Sequence, residues 1–237
     1  MFPFRDHNPS QTVPVVTYAL IALNVAVWLW SLMIAGDDQA LSRLYYDFAL
    51  IPARITGGEG WGGFVTSTFL HGGFLHLAGN MLFLHIYGDN LEDKMGHLPF
   101  LGFYLGCGLA GGAIQVLSEP FSAVPVVGAS GAIAGVMGGY LLLFPRARVD
   151  VFFYVTVFAL PAWLLLAGWF AMQIAGGFGP DEGVAYWAHN GGFLAGVLLT
   201  VPVWLRLGGP RFWRRTDGHP DHPPAVWRHT SVPRVRR

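Results

Sequence analysis

Residues 128–144 read GASGAIAGVMGGYLLLF, a serine framed by glycines at the start of an apolar run long enough to lie within a membrane. Polar groups at such depth cost several kcal/mol unless they are paired or have a use. A lone histidine, His189, enters a later apolar run. Ser130 and His189 are therefore a candidate nucleophile and base inside lipid.

The composition of the whole chain favours a polytopic membrane protein. Hydrophobic residues make up 53% and charged residues 12%, whereas soluble proteins average about 25% charged residues. The 14 basic and 14 acidic residues balance, which argues against a nucleic-acid partner. A single cysteine, Cys107, excludes an intrachain disulfide.

Hydropathy predicts an all-α bundle of six transmembrane helices. Windows of about 20 residues place the spans at 13–34, 75–91, 98–117, 129–144, 151–174 and 185–205. Residues 13–206 then form the membrane domain, after a polar lead at 1–12 and with outer loops at 36–74 and 176–184. We expect residues 207–237, rich in Pro, Arg and His, to be a disordered basic tail drawn to anionic lipid.

Loop charges orient the predicted bundle. With the N-terminus inside, 12 of the 14 basic residues lie on that side, and only Arg43 and Arg54 lie outside. The positive-inside rule therefore predicts a multi-pass protein with both termini in the cytoplasm. Basic residues are almost all Arg, with Lys94 the single lysine, which favours a G+C-rich bacterial genome. We expect the protein to lie in a bacterial plasma membrane.

Depth counting places four polar side chains in one layer near the outer face. Taking about 1.5 Å of rise per residue and a hydrocarbon core about 30 Å thick, Ser130 lies about 9 Å deep and His189 about 6 Å. His76 lies about 8 Å and Asn80 about 13 Å deep by the same count. His76 and Asn80 are four residues apart and so share one helix face.

Small residues recur at every fourth position in two of the predicted spans. They are Gly131, Gly135 and Gly139 in the fourth span, and Ala188, Gly192 and Gly196 in the sixth. This spacing lets two helices approach backbone to backbone in lipid. Packing alone would explain both stripes, but close packing also brings Ser130 and His189 within reach of each other.

The four polar residues fit acyl transfer. An imidazole that takes its proton makes a serine hydroxyl nucleophilic, and donors must then face the developing oxyanion. We expect His76, Asn80 and the backbone N–H of Ser130 to be those donors. No acidic residue lies in the middle of the spans, so the sequence predicts a Ser130–His189 dyad without a third member.

Other readings fit the sequence less well. An isolated intramembrane serine usually bonds its own helix, but four polar residues at matched depth reverse that expectation. No His-Glu-x-x-His motif and no pair of mid-span aspartates occur, which disfavours a zinc or aspartyl intramembrane protease. We therefore expect no metal and no other cofactor. Gly128 and Gly131 flank the serine, and because they have no side chain they leave room for a tight turn and for close approach of a substrate.

Three segments carry a resemblance to a known family. They are FLHGGFLHLAGN at 69–80, GASG at 128–131 and AHNGGFLAG at 188–196. In this order the chain resembles the rhomboid family of intramembrane serine proteases. The resemblance implies a six-helix bundle with an outward-opening cavity, Ser130 as nucleophile, His189 as general base, and His76 and Asn80 as oxyanion stabilisers.

The resemblance also implies partners and exposes two departures. Substrates would be transmembrane segments of other proteins that enter near the fifth span, and the 176–184 loop would cover the site. Where many relatives carry Trp-Arg, this chain has Trp61 followed by glycine. Where some carry an aromatic residue beside the catalytic histidine, it has Ala134, so other packing must orient His189.

Three functions remain to be weighed on these residues. The first is a serine endopeptidase that cleaves within the membrane. The second is a non-proteolytic rhomboid-like binder of transmembrane clients, although such proteins typically lose the serine or the histidine that this chain keeps. The third, a transporter with a histidine proton relay, is disfavoured by the scarcity of mid-span acids and by the lack of an internal repeat.

Overall fold

The computed structural model describes residues 2–180 and 183–221. Its helices are α1 (Val15–Ile34), α2 (Asp38–Phe48), α3 (Pro52–Thr56), α4 (Gly63–Thr66), α5 (Phe74–Met95), α6 (His97–Ser118), α7 (Ser130–Leu143), α8 (Ala162–Gly177), α9 (Tyr186–Arg206) and α10 (Pro210–Thr216). A 3₁₀ turn covers Ser67–Phe69, and three strands, β1 (Phe2–Asp6), β2 (Arg148–Phe153) and β3 (Thr156–Pro161), form one antiparallel sheet in the order β1-β2-β3.

The predicted membrane bundle of helices is confirmed. In the described part of the chain, α1, α6 and α9 are each long and apolar enough to cross a membrane, and α7 and α8 are shorter apolar helices. Large side chains that are fully buried, such as Tyr87, Tyr104 and Phe100, lie in the main core. The segment 36–74, predicted to be an outer loop, is built mostly of the short helices α2, α3 and α4.

The predicted fifth span was wrong at its start. Residues 151–161 belong to the β2–β3 hairpin, and α8 begins only at Ala162. Tyr154 turns the hairpin with a φ of 55°. Valine and aromatic residues dominate this stretch and suit a pleated strand as well as a membrane helix. A hydropathy window measures only apolarity and does not separate the two.

Both predicted termini contain more structure than we expected. The polar lead at 1–12 includes β1, which pairs antiparallel with β2. The predicted disordered tail at 207–237 includes α10, whose Phe212 is fully buried in the main core. Residues 222–237 of that tail lie outside the described residues.

A buried aspartate ties β1 to β2. The guanidinium Nε of Arg5 donates to Oδ2 of Asp150 over 2.6 Å, and Nε2 of His7 lies 2.8 Å from Oδ1. Burial opposes ionisation of Asp150, but the His7 and Arg5 contacts outweigh it and lower the pKa of this carboxyl. Because β2 begins five residues after α7 ends at Leu143, the sheet lies near the end of α7 opposite to its first residue, Ser130.

A second carboxylate, that of Glu92, caps the first turn of α1. Pro14 at the start of that helix offers no side-chain cap. Instead, Glu92 of α5 accepts the backbone N–H of Val16 over 2.9 Å and that of Thr17 over 2.8 Å. Free N–H groups and the positive end of the helix dipole favour an anion at this position. The contact anchors the first helix to the core.

Glycines hold α7 and α9 in backbone contact. A β-carbon on Gly192 would overlap the carbonyl oxygen of Gly131, and one on Gly196 would overlap that of Gly135. No side chain larger than hydrogen fits at either place. The spacing of small residues in both helices is thus matched by direct approach of their backbones.

We expect Gly196→Ala to separate α7 from α9 and to destabilise the fold. Overpacking of this kind costs about 1–3 kcal/mol, and the clash here is with backbone, which cannot rotate away. Thermal unfolding of the detergent-solubilised protein measures the effect. Gly102→Ala is the matched control, because a β-carbon there meets no atom within 4 Å. Equal unfolding midpoints for the two variants would contradict the packing argument.

We expect Asp150→Asn to destabilise the sheet at neutral pH by about 1–2 kcal/mol, since it weakens two charge-assisted hydrogen bonds. A lowered carboxyl pKa contributes stability above the ordinary aspartate value of about 3.9. That contribution is lost as pH falls through the lowered pKa. The difference in unfolding midpoint between wild type and variant should therefore shrink on acidification.

Asp217→Asn is the matched control for the aspartate at the sheet. Its side chain is 75% exposed and pairs with Arg146, which is also exposed. Exposed ion pairs contribute little to stability. A larger loss for Asp217→Asn than for Asp150→Asn would contradict the assignment of Asp150 as the tie between the strands.

Candidate active site

The loop before Ser130 is fixed by backbone hydrogen bonds. Leu50 and Val126 exchange N–H to carbonyl bonds of 3.1 and 2.8 Å. The N–H of Gly128 donates to the carbonyl of Ser67 over 2.9 Å. These bonds hold the chain against the outer loop just before α7 begins, so Ser130 stands at a defined place on the first turn of that helix.

Ser130 and His189 are in direct contact. The hydroxyl Oγ of Ser130 lies 2.7 Å from Nε2 of His189, a distance at which the O–H donates to the ring nitrogen. His189 sits on the first turn of α9, where the N–H of Ala188 donates to Oε1 of Gln115 over 3.1 Å. Gln115 on α6 therefore caps the helix start that carries the histidine.

The other ring nitrogen of His189 also has a partner, which the sequence analysis missed. Nδ1 lies 2.7 Å from Oε1 of Gln173 on α8. The indole ring of Trp169, one turn earlier on α8, has its centroid 5.7 Å from the imidazole centroid. These two residues contact the imidazole ring from α8, whereas the side chain of Ala134 is a single methyl group. The sequence analysis considered only acidic residues as a third partner and so did not identify Gln173. A glutamine within an otherwise apolar helix is the sequence feature that could have indicated it.

His76 lies beside the loop that leads into Ser130. A β-carbon on Gly128 would come within 2.6 Å of Nε2 of His76. Gly128 also has a φ of +125°, a conformation that residues with side chains rarely adopt. Glycine is therefore required at position 128 for two reasons: the positive φ and the space that the His76 ring occupies.

Asn80 is buried and faces His71. Its amide nitrogen lies 3.0 Å from Nε2 of His71 and donates to it. The sequence analysis gave His71 no role, although it lies in the same histidine-rich segment. Because an amide nitrogen carries two hydrogens, one remains for a second acceptor. The ring centroids of His71 and His76 are 5.1 Å apart, edge to face.

A cavity of about 520 Å³ joins these residues. Its polar lining includes Ser130, His189, His76 and Asn80, together with Glu119 at the end of α6. All four predicted polar residues therefore reach one space. Among the residues that the structure describes, no group of three or more His, Cys, Asp or Glu side chains is placed to hold a metal ion.

Part of the loop predicted to cover the site borders this cavity. Gly183, Val184 and Ala185 line it, and the ring of Phe178 packs edge to face on Trp187 with centroids 5.2 Å apart. Residues 181–182 of the predicted loop lie outside the described residues. The described residues 183 and 184 of the predicted loop therefore form part of the cavity wall.

A serine–histidine pair beside a cavity with polar and apolar walls, carried by apolar helices, defines a membrane protein with the geometry of a hydrolase site. The Rhomboid domain family model matches residues 58–206, more than half of the chain. The chain belongs to the rhomboid family, as the three sequence segments indicated.

Similar proteins come from several organisms. Rhomboid protein 1, mitochondrial, of Saccharomyces cerevisiae is 33% identical over 204 residues, which cover 83% of this chain and 54% of the yeast protein. Putative rhomboid protease YdcA of Bacillus subtilis is 34% identical over 55% of this chain and 62% of its own length. Rhomboid-like protein 11, chloroplastic, of Arabidopsis thaliana is 30% identical over 85% and 69%. The chain thus spans about half of the yeast relative's length.

We expect Gly128→Ala to disrupt the site while leaving the bundle folded. The new methyl group would displace the His76 ring and strain the backbone before Ser130, because φ is positive there. Labelling of Ser130 by a fluorophosphonate probe should fall by more than about tenfold, a loss that corresponds to roughly 1.4 kcal/mol. Gly72→Ala is the control, since a β-carbon there meets nothing within 4 Å. Equal labelling of both variants would contradict a requirement for glycine at 128.

Proposed function

We propose that this chain is an intramembrane serine endopeptidase that cleaves transmembrane segments of other membrane proteins. One observation carries the proposal above all others, the 2.7 Å contact between Oγ of Ser130 and Nε2 of His189 at the wall of a cavity. Two relatives from Bacillus subtilis, named putative rhomboid protease YdcA and rhomboid protease GluP, support the activity class.

The first half of the reaction follows from that contact. His189 takes the hydroxyl proton at Nε2 as Oγ of Ser130 attacks the scissile carbonyl. A tetrahedral oxyanion forms, and its collapse breaks the C–N bond. The proton on Nε2 passes to the leaving amine, so an acyl-enzyme and a free amine result.

Water completes the cycle. His189 removes a proton from a water molecule, whose oxygen attacks the acyl-enzyme, and returns that proton to Oγ of Ser130 as the ester breaks. The new carboxyl terminus and the free hydroxyl are the products. No metal or other cofactor enters either half of the reaction.

Three N–H groups are the proposed oxyanion donors. They are the backbone N–H of Ser130, a ring N–H of His76 and the second amide hydrogen of Asn80. A neutral donor suits this position, because oriented dipoles stabilise a developing charge in a dry site without bringing a buried charge of their own. His71 orients Asn80 for the task by accepting its other hydrogen.

The proposed substrate is a membrane-embedded segment, for two reasons. The site lies at the ends of apolar helices rather than in a soluble domain, and the cavity wall combines Leu75, Phe83 and Trp169 with the polar groups. We place residues 13–206 in a bacterial plasma membrane with both termini in the cytoplasm. The basic tail would then meet anionic lipid headgroups.

Ser130→Ala and His189→Ala should each abolish cleavage of a model transmembrane substrate in reconstituted vesicles, with a fall in kcat of at least about 10³-fold. Both variants should keep the wild-type unfolding midpoint within a few degrees, because the removed groups face a cavity. Loss of fluorophosphonate labelling in Ser130→Ala identifies the nucleophile.

The same assay separates the proposal from a non-proteolytic binder of transmembrane clients. A binder needs neither the hydroxyl nor the imidazole, so client capture without product and without labelling of wild-type Ser130 would support that function instead. Undiminished cleavage by purified Ser130→Ala would rule out Ser130 as the nucleophile.

A further inference from the structure

Gln173 stands out because it is a polar residue on the buried face of an apolar helix. The buried residues of α8 are Ala162, Leu166 and Gln173. They are separated by four and seven residues and so form one stripe along the helix. The neighbours of Gln173 on either side, Met172 and Ile174, are exposed. An apolar residue at 173 would complete the stripe, so packing does not explain the glutamine.

The hydrogen bonds of Gln173 explain it better. Its Oε1 lies 2.7 Å from Nδ1 of His189. Its backbone carbonyl accepts Nδ2 of Asn190 over 3.2 Å. Two consecutive residues of α9 are therefore bound by one residue of α8, and the side chain is 8% exposed. Gln173 thus contacts α9 through both its side-chain oxygen and its backbone carbonyl.

An amide oxygen accepts hydrogen bonds and never donates them, which fixes the state of the imidazole. If Oε1 faces Nδ1, then Nδ1 carries the proton in the neutral ring. Nε2 is left with a free lone pair, and it is Nε2 that faces Oγ of Ser130. Gln173 therefore selects the tautomer in which the ring can act as a base toward the serine.

Resting on the function proposed above, we propose that Gln173 is the positioning residue of the His189 base, in the place that an aspartate occupies in a serine–histidine–aspartate triad. It holds the ring in the base tautomer, and it keeps accepting from Nδ1 when the ring becomes an imidazolium. A neutral amide does this without placing a carboxylate in a membrane-embedded site, where a charge is costly. Trp169 flanks the ring while Gln173 binds its edge.

Substitution at 173 tests the proposal by kinetics. Gln173→Met keeps the length of the side chain but removes the acceptor. We expect kcat to fall about 10- to 100-fold with KM little changed, less than the roughly 10⁴-fold loss caused by the wrong tautomer in a triad. Ile174→Met is the matched control at an exposed position of the same helix and should keep the wild-type kcat.

Gln173→Glu separates a positioning role from a merely structural one. A carboxylate also accepts from Nδ1, so this variant should keep activity within about tenfold of wild type. It also favours the protonated ring, so the acid limb of the kcat/KM profile should move up by about one pH unit. His76 and Glu119, the other titratable side chains at the cavity among the described residues, are the same in every variant. An unmoved acid limb, or a Gln173→Met enzyme with wild-type kcat, would overturn the proposal.

A spectroscopic measurement keeps the inference independent of proteolysis. In protein labelled with ¹⁵N-histidine, the resonance assigned to His189 by comparison with His189→Ala should show the proton on Nδ1. Gln173→Met should lose this fixed tautomer, whereas Ile174→Met should retain it. A proton on Nε2 in the wild type would overturn the role of Gln173 even if cleavage occurs. A proton on Nδ1 without any cleavage would support it while the proposed function fails.

Discussion

Two glycines of α9, Gly192 and Gly196, lie against carbonyl oxygens of α7, and the geometry of the site depends on that contact. Lipid tails are as apolar as the helix surfaces, so helices in a membrane gain from close packing rather than from burial. Because glycine has no side chain, the two backbones can come into direct contact at these positions. Ser130 begins α7 and His189 lies on the first turn of α9, so the approach of the helices sets the distance between hydroxyl and imidazole.

Carboxylates have structural roles at one end of the bundle, and the groups that contact His189 at the other end are neutral, although Glu119 also lines the cavity. At the end opposite to Ser130, carboxylates carry structure: Asp150 ties the sheet, and Glu92 begins α1. At the site end, neutral groups make the contacts that matter. A hydroxyl bonds an imidazole, and an amide bonds the same imidazole on its other side. This division follows from the cost of a bare charge within lipid, and it leaves orientation of the base to hydrogen bonds.

The sequence predicted the bundle well because long apolar runs and glycine spacing report directly on helices in lipid. It predicted that Ser130, His189, His76 and Asn80 share one layer because helix rise converts residue number into depth, and in the structure all four line one cavity. It missed the β2–β3 hairpin because valine and phenylalanine are equally apolar in a strand and in a membrane helix. It missed Gln173 because hydropathy treats a glutamine in an apolar helix as a tolerated exception, and its partner is known only once α8 is placed against α9.

Ala134 and Gln173 are two parts of one arrangement around the His189 ring. The side chain of Ala134 on α7 is only a methyl group. The ring that flanks His189 must therefore come from another helix. Trp169 supplies it from α8, and Gln173 follows one turn later on the same face. A helix that contributes both the flank and the acceptor sets the ring plane and the tautomer together. The histidine therefore depends on α9 for its position, on α7 for its partner and on α8 for its orientation.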